Sequence, residues 1–164
     1  MDNVLIRQAT VADLEAINAI YNHFVLHSTC TYQVEPDVPA QRRAWFDGHG
    51  PQHPVVVAES AGQVLGWGSL SPLHPRAAFR YSVEDSVYVR PDAQGRGAGG
   101  ALLKDLILRG GQLGHHTIVA AIDGEQKCSL AMHTKHGFVE AVRLRQVGFK
   151  FGRWLDMVYM QLML

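Results

Sequence analysis

The sequence of 164 residues has only two cysteines, no surplus of either charge and no long apolar run. Each absence removes a class of protein. Cys30 and Cys128 lie far apart, form no C-x-x-C pair and offer no zinc-ligand spacing, which excludes a disulfide-stapled framework and fits a reducing compartment. Lys+Arg and Asp+Glu balance at 15 each, so the electrostatic footprint of a nucleic-acid binder is missing and an anionic ligand must be held by local groups. No stretch approaches the ~20 apolar residues that span a bilayer, and the opening MDNVLIRQAT lacks the basic-then-apolar order of a signal peptide. A cytoplasmic protein is expected, with neither membrane nor nucleic acid as partner. Repeats, low-complexity tracts and charge blocks are absent too, and at ~150 residues per domain the length gives one domain, 1–164.

What is present is a regular succession of short periodic segments. Thr10 followed by Asp13 has the spacing of a capping box, and Leu14, Ile17, Tyr21, Phe24 and Val25 recur at helical spacing, which predicts a helix over Val11 to His27. Thr29 to Asp37 is irregular, and Pro39 opens a short helix through Trp45 and Phe46 before Gly48, Gly50 and Pro51; so long a connection points to a ligand role. Val55 to Ala58 and Val64 to Leu70 read as a hairpin. From Tyr81 to Val89 the chain alternates, with Val83, Asp85, Val87 and Val89 on one face and Ser82, Glu84, Ser86 and Tyr88 on the other. A helix through Leu102, Leu103, Leu106 and Ile107 follows, with Gly110 and Gly111 as its expected stop. Thr117 to Ile122 reads as a buried strand, Ser129 to His136 as a short helix, and the remainder as two strands on either side of Gly148 to Gly152. The pattern predicts a mixed α/β (α+β) fold whose first half is antiparallel.

Between the alternating strand and its helix stands Gly95-Arg96-Gly97-Ala98-Gly99-Gly100. Glycines before a helix let bare backbone N–H groups converge at the positive end of the helix dipole, which makes an anion cradle with Arg96 and Arg90 at hand. The letters fail the Walker loop, because Gly99-Gly100-Ala101 stands where Gly-Lys-Ser/Thr is required. They fit G-x-G-x-x-G, yet the turn comes after several antiparallel strands and does not open a βαβ unit, which weakens a dinucleotide site.

The segment Val87-Tyr88-Val89-Arg90-Pro91-Asp92-Ala93-Gln94-Gly95-Arg96-Gly97-Ala98-Gly99 resembles the acetyl-CoA-binding segment of the GNAT N-acetyltransferases, and Ser129 to Phe138 resembles that superfamily's later helix ending in Gly-Phe. Within it, Tyr81 to Val89 and Gly148-Phe149-Lys150-Phe151-Gly152-Arg153-Trp154-Leu155-Asp156 are most similar to phosphinothricin and methionine sulfoximine acetyltransferases. The resemblance implies a mostly antiparallel central sheet flanked by helices, acetyl-CoA as co-substrate, and a cofactor site at Val87, Tyr88, Val89 and Gly95 to Gly100. Backbone groups of Val87 and Val89 would hold the pantetheine arm and thioester. Where many relatives carry Asn three residues before the helix serine, this chain has Gln126.

Acetyl transfer to an amine needs a base, a polarised carbonyl and a proton for the leaving thiolate. A mid-strand glutamate is either solvent-facing or functional, and Glu84 is the expected general base, directly or through a water; Asp85, on the opposite face, is expected to be structural. His133 or water supplies the final proton. Adjacent His115 and His116 point apart and have no carboxylate partner, so no metal site is expected. Arg76, in the loop His74-Pro75-Arg76, carries the planar fork that matches a carboxylate, with Arg80 as the second candidate. Tyr32, Phe149 and Trp154 are candidates to wall an apolar substrate chain, and the apolar loop around the last two suits the homodimer that the resemblance implies. The expected acceptor is the α-amine of a small amino acid analogue. A polyamine, an aminoglycoside or a protein N-terminus is the enzymatic alternative, and a non-catalytic acyl-CoA sensor the alternative of another class.

Overall fold

A computed structural model describes residues 4–164. Its centre is a seven-stranded sheet in the order β1-β2-β3-β4-β5-β7-β6, with β1 at Leu5–Gln8, β2 at Val55–Ser60, β3 at Gln63–Pro72, β4 at Ser82–Val89, β5 at Thr117–Asp123, β6 at Val139–Lys150 and β7 at Arg153–Met163. Every pairing is antiparallel except β4 with β5. That parallel pair needs a crossover, and α3, Ala98–Gln112, supplies it. α1 (Leu14–His27) and α2 (Pro39–Asp47) lie between the first two strands in sequence, and α4 (Lys127–Lys135) follows β5. The mixed, mostly antiparallel sheet flanked by helices is the architecture expected.

Two apolar layers clamp the sheet. Leu102, Leu103 and Leu106 of α3 share one with Val56, Leu70, Val83, Ile118, Phe138 and Val158. Ile17, Ile20 and Phe24 of α1 share the other with Val55, Val57 and Trp67. The alternation of β4 divides as read, with Val83, Val87 and Val89 against the α3 layer and Tyr88 against the α1 layer.

The start of α1 shows why Thr10 and Asp13 stand where they do. Asp13 accepts from the Thr10 N–H at 2.7 Å and from its hydroxyl at 3.0 Å, while Arg7 of β1 grips both carboxylate oxygens at 2.8 Å. The first turn, Val11–Asp13, is 3₁₀, so the α-helix begins three residues later than the periodicity suggests. A second difference lies at the end of α3. Gly110 and Gly111 do not stop the helix, which runs to Gln112; Gly114, at φ +79°, turns the chain. Gly110 serves packing, because a Cβ there would stand 3.1 Å from Leu164 Cδ1 and 3.4 Å from Ile118 Cδ1. The last helix begins at Lys127, two residues before the expected Ser129, and the final hairpin turns at Phe151-Gly152, leaving Gly148 inside β6.

Leu103 is fully buried in the α3 layer. Leu103→Ala should lower unfolding free energy by about 2–5 kcal/mol, read as a lower urea midpoint with an unchanged slope; a shift near zero would contradict this account of the core.

Candidate active site

The parallel pairing of β4 with β5 runs from Ser82↔Thr117 only as far as Asp85↔Ala120. Beyond that rung the strands separate. The orientation of the freed backbone follows from the β3 side. Leu73 N–H donates to Ser82 O, and Arg90 N–H to Leu65 O, so even-numbered residues of β4 address β3 and the N–H groups of Val87 and Val89 address the gap. A cavity of about 740 Å³ passes through this fork, lined by Glu84 to Val89 on one strand and Ala120 to Asp123 on the other. At one end are Gly95, Gly97, Ala98, Gly99 and Gly100. Gly97 is the N-cap of α3 at φ +89°, and the space beside it is open, with nothing within 4 Å of where a Cβ would be. That is a cradle of bare N–H groups facing room for a phosphate. Arg96 is exposed beside it, and Arg90 is held by Asp92 at 2.6 Å.

Glu84 and Asp85 occupy the crotch of the fork and face opposite sides of the sheet. Glu84 is half-buried and lines the cavity; burial first, and then the charge of Asp85, raise its carboxyl above the ordinary glutamate range. Such a carboxylate holds a proton more readily than a surface one. Asp85 is buried and lines the same cavity. Its Oδ2 meets His133 Nε2 at 3.0 Å, and its Oδ1 is buried with no hydrogen-bond partner among the described residues. His133 Nδ1 lies 2.8 Å from the Ser129 carbonyl. A carbonyl and a carboxylate both accept, so each ring nitrogen carries hydrogen and the pair is an imidazolium with a carboxylate. Burial opposes that charge, and the hydrogen bond and charge of Asp85, with the Ser129 carbonyl, outweigh it, so the pKa of His133 is raised. The pair ties α4 to the last rung of the fork, a link that the strand's alternation did not disclose. A carboxylate and a histidine 48 residues apart give no local signal.

The remaining wall comes from the irregular segment after α1. Cys30, Thr31, Tyr32, Gln33 and Asp37 line the cavity. Tyr32's hydroxyl hydrogen is shared between the Asp156 carbonyl at 2.6 Å and Asp123 Oδ1 at 3.2 Å, and Thr29's hydroxyl donates to Asp123 Oδ2. Gln126, the N-cap of α4, turns its amide to Thr29 at 3.3 Å and Asp123 at 3.5 Å. Gly148 is the condition for this wall, because a Cβ there would fall 2.5 Å from the Tyr32 ring. Asp123 and Gln94 were missed in the sequence. Asp123 is a buried carboxylate closing an apolar strand, which is a readable signal; Gln94 donates its amide to the Val89 carbonyl at 3.1 Å. His74, Pro75 and Arg76 are exposed on the β3–β4 loop and do not line the cavity of a single chain. Neither do Arg80, Phe149 and Trp154. His115 donates from Nε2 to the Gln52 carbonyl at 2.7 Å, and no group of three or more potential metal ligands occurs among the described residues.

A sheet that splays between a parallel pair, with a glycine cradle opening the crossover helix, defines an acyl-CoA-dependent transferase. The chain belongs to the acetyltransferase (GNAT) family, whose model matches residues 17–138. It is 46% identical, over 96% of its length and 92% of the relative's, to an L-methionine sulfoximine/L-methionine sulfone acetyltransferase of Pseudomonas paraeruginosa. With a phosphinothricin N-acetyltransferase of Alcaligenes faecalis it shares 42% identity over 91% of this chain and 77% of the other. The structure of a Salmonella typhimurium acetyltransferase with its cofactor acetyl-CoA superposes at a TM-score of 0.95 and 41% identity, covering 98% of this chain and 94% of that one. The protein is thus an acetyl-CoA-dependent N-acetyltransferase.

Gly97→Val replaces a left-handed glycine with a β-branched residue and fills the open space beside the cradle. Calorimetric titration with acetyl-CoA should show binding abolished in a folded variant; unchanged affinity would remove the cradle from the cofactor site.

Proposed function

We propose that this single domain, residues 1–164, transfers an acetyl group to the α-amine of a small amino acid analogue of the methionine sulfoximine, methionine sulfone or phosphinothricin type, in the cytoplasm and as a homodimer. The position of Glu84 carries this reading: a half-buried carboxylate with a raised pKa, lining the cavity one residue before the strands part. The acceptor class rests on what the relatives above act on. Acetyl-CoA, when bound, supplies the acetyl group activated as a thioester. The N–H groups of Gly95 to Gly100, with Arg96, hold its diphosphate, and Tyr88, Gln126 and the backbone of Val87 and Val89 flank the arm that reaches the fork. Glu84 takes a proton from the acceptor ammonium, and the proton for sulfur comes from His133, once its Nε2–H leaves Asp85, or from water.

The acceptor carboxylate is assigned to Arg76, with His74 and Pro75 shaping its loop and Arg80 in reserve. The homodimer reading is supported by an unpartnered edge. Among the described residues β6 pairs only with β7 in the sheet, and Val139, Val142, Val147, Phe149 and Trp154 are exposed along that hairpin. An apolar edge of this length calls for a cover. No described helix is long and apolar enough to cross a membrane.

Glu84→Gln should lower kcat roughly 10²–10⁴-fold with acetyl-CoA affinity nearly intact; wild-type turnover would remove Glu84 from the base role. In the parent, activity should fall as pH falls through the raised pKa of Glu84, since the base works ionised. The same shift has a stability sign. The folded state binds more protons than the unfolded one between the ordinary and the raised value, so stability declines as pH rises through that window, and Glu84→Gln should abolish the decline in thermal melts. Arg76→Ala should raise KM for carboxylate-bearing acceptors about ten-fold or more with little change in kcat; an unaltered KM would place that contact elsewhere.

A further inference from the structure

The face of the sheet that Glu84 occupies carries a polar lane that the steps above do not use. On β3, Trp67, Ser69 and Ser71 stand directly opposite Tyr88, Ser86 and Glu84 of β4. Trp67 Nε1 and Ser69 Oγ are buried and have no hydrogen-bond partner among the described residues, which is uncommon for buried polar groups. Ser71 is different. Its Oγ lies 3.0 Å from His49 Nε2, and His49 Nδ1 lies 2.7 Å from the Trp45 carbonyl of α2. The carbonyl only accepts, so Nδ1 carries the hydrogen of a neutral ring, Nε2 is bare, and Ser71 donates to it. The ring stays neutral for a physical reason: burial first, and then Arg42, lower its pKa against the Trp45 carbonyl. Ser71 stands directly opposite Glu84, where Cβ atoms lie about 4.5–5.5 Å apart; no direct hydrogen bond joins the two side chains among the described residues, so the link between them is one bridging water. Neither Ser71 nor His49 lines the cavity.

We propose that Ser71 and His49 form the route by which Glu84 discharges its proton to solvent while both substrates fill the cavity. This rests on the reading of Glu84 as the base. The stoichiometry requires such an exit. An ammonium acceptor and acetyl-CoA give the N-acetyl product, the free thiol and one proton: the C–S bond breaks, a C–N bond forms, one N–H proton goes to sulfur and one must leave. Glu84 passes that proton toward Ser71 Oγ, Ser71 passes its own to the bare Nε2 of His49, and the imidazolium returns a proton to solvent at the partly exposed end of α2. The proton released is that of Nδ1, which leaves the Nε2–H tautomer, and exchange with solvent returns the ring to its Nδ1–H form before the next turnover. The charged and titratable neighbours of this end are Arg42 on α2, and His53, whose ring lies tilted against that of His115 at 5.8 Å between centroids.

The test compares His49→Gln and Ser71→Ala with Ser71→Thr, measuring kcat and both KM values by thiol release, with and without added imidazole. His49→Gln keeps an amide that can bond Ser71 but cannot relay a proton. Both it and Ser71→Ala should lose about ten-fold or more in kcat with KM values nearly unchanged, imidazole should restore kcat in His49→Gln, and Ser71→Thr should retain activity. Structural damage would not be repaired by imidazole. Parent-like kcat in His49→Gln and Ser71→Ala, or a loss that imidazole leaves untouched, would overturn the relay. Glu84→Gln in the same assay separates the two readings: if it too turns over normally, the base assignment has failed, and if it alone is impaired, only the relay has.

Discussion

The end of the parallel ladder at Asp85↔Ala120 is the constraint on which the rest of the site depends. A parallel pair inside an otherwise antiparallel sheet cannot be closed by a hairpin, so the chain must leave β4 and cross over through a helix. That crossover places the N-terminus of α3 beside the strand end, and the strands diverge where the helix begins. Three things meet there for topological reasons: backbone N–H groups without strand partners, a helix dipole with a glycine cap, and the side chains of Glu84 and Asp85 on either side of the sheet. In a protein of zero formal charge, such local dipoles offer a polyanionic ligand favourable ground without a broad basic surface.

The electrostatics of the crotch are divided by the sheet itself. Asp85 is committed to His133 on the α4 side, which fixes the helix that closes the cavity and keeps one negative charge near Glu84. Glu84, on the α1 side, has no cation bonded to it among the described residues, and burial with the Asp85 charge raises its pKa. On that side the strand neighbours are serines and His49 stands behind them, so the polarity of the lane continues away from the cofactor.

Much of this is legible in local sequence because local sequence causes it. The alternation of Ser82 to Val89 and the glycines before Leu102 are both read over a few residues, and each decides its own conformation. What escapes is what depends on residues distant in the chain. The Asp85–His133 pair, the Tyr32–Asp123 wall and the Ser71–His49 bond join segments brought together only by the sheet order. Gly110 shows the same limit in reverse: a glycine reads as a stop, yet here it makes room for Leu164. Arg76 marks the converse: its guanidinium is easy to name in the sequence, yet its exposed loop does not line the cavity of a single chain.

The central claim is that the fork between β4 and β5 receives the acyl donor through backbone groups of β4. Residue-resolved amide hydrogen exchange, with and without saturating acetyl-CoA, tests it at the atoms concerned. The account predicts that the amides of Val87 and Val89, unpaired across the fork, slow markedly on binding together with those of Gly95 to Gly100. Slowing confined to the glycine turn, with Val87 and Val89 unchanged, would contradict it.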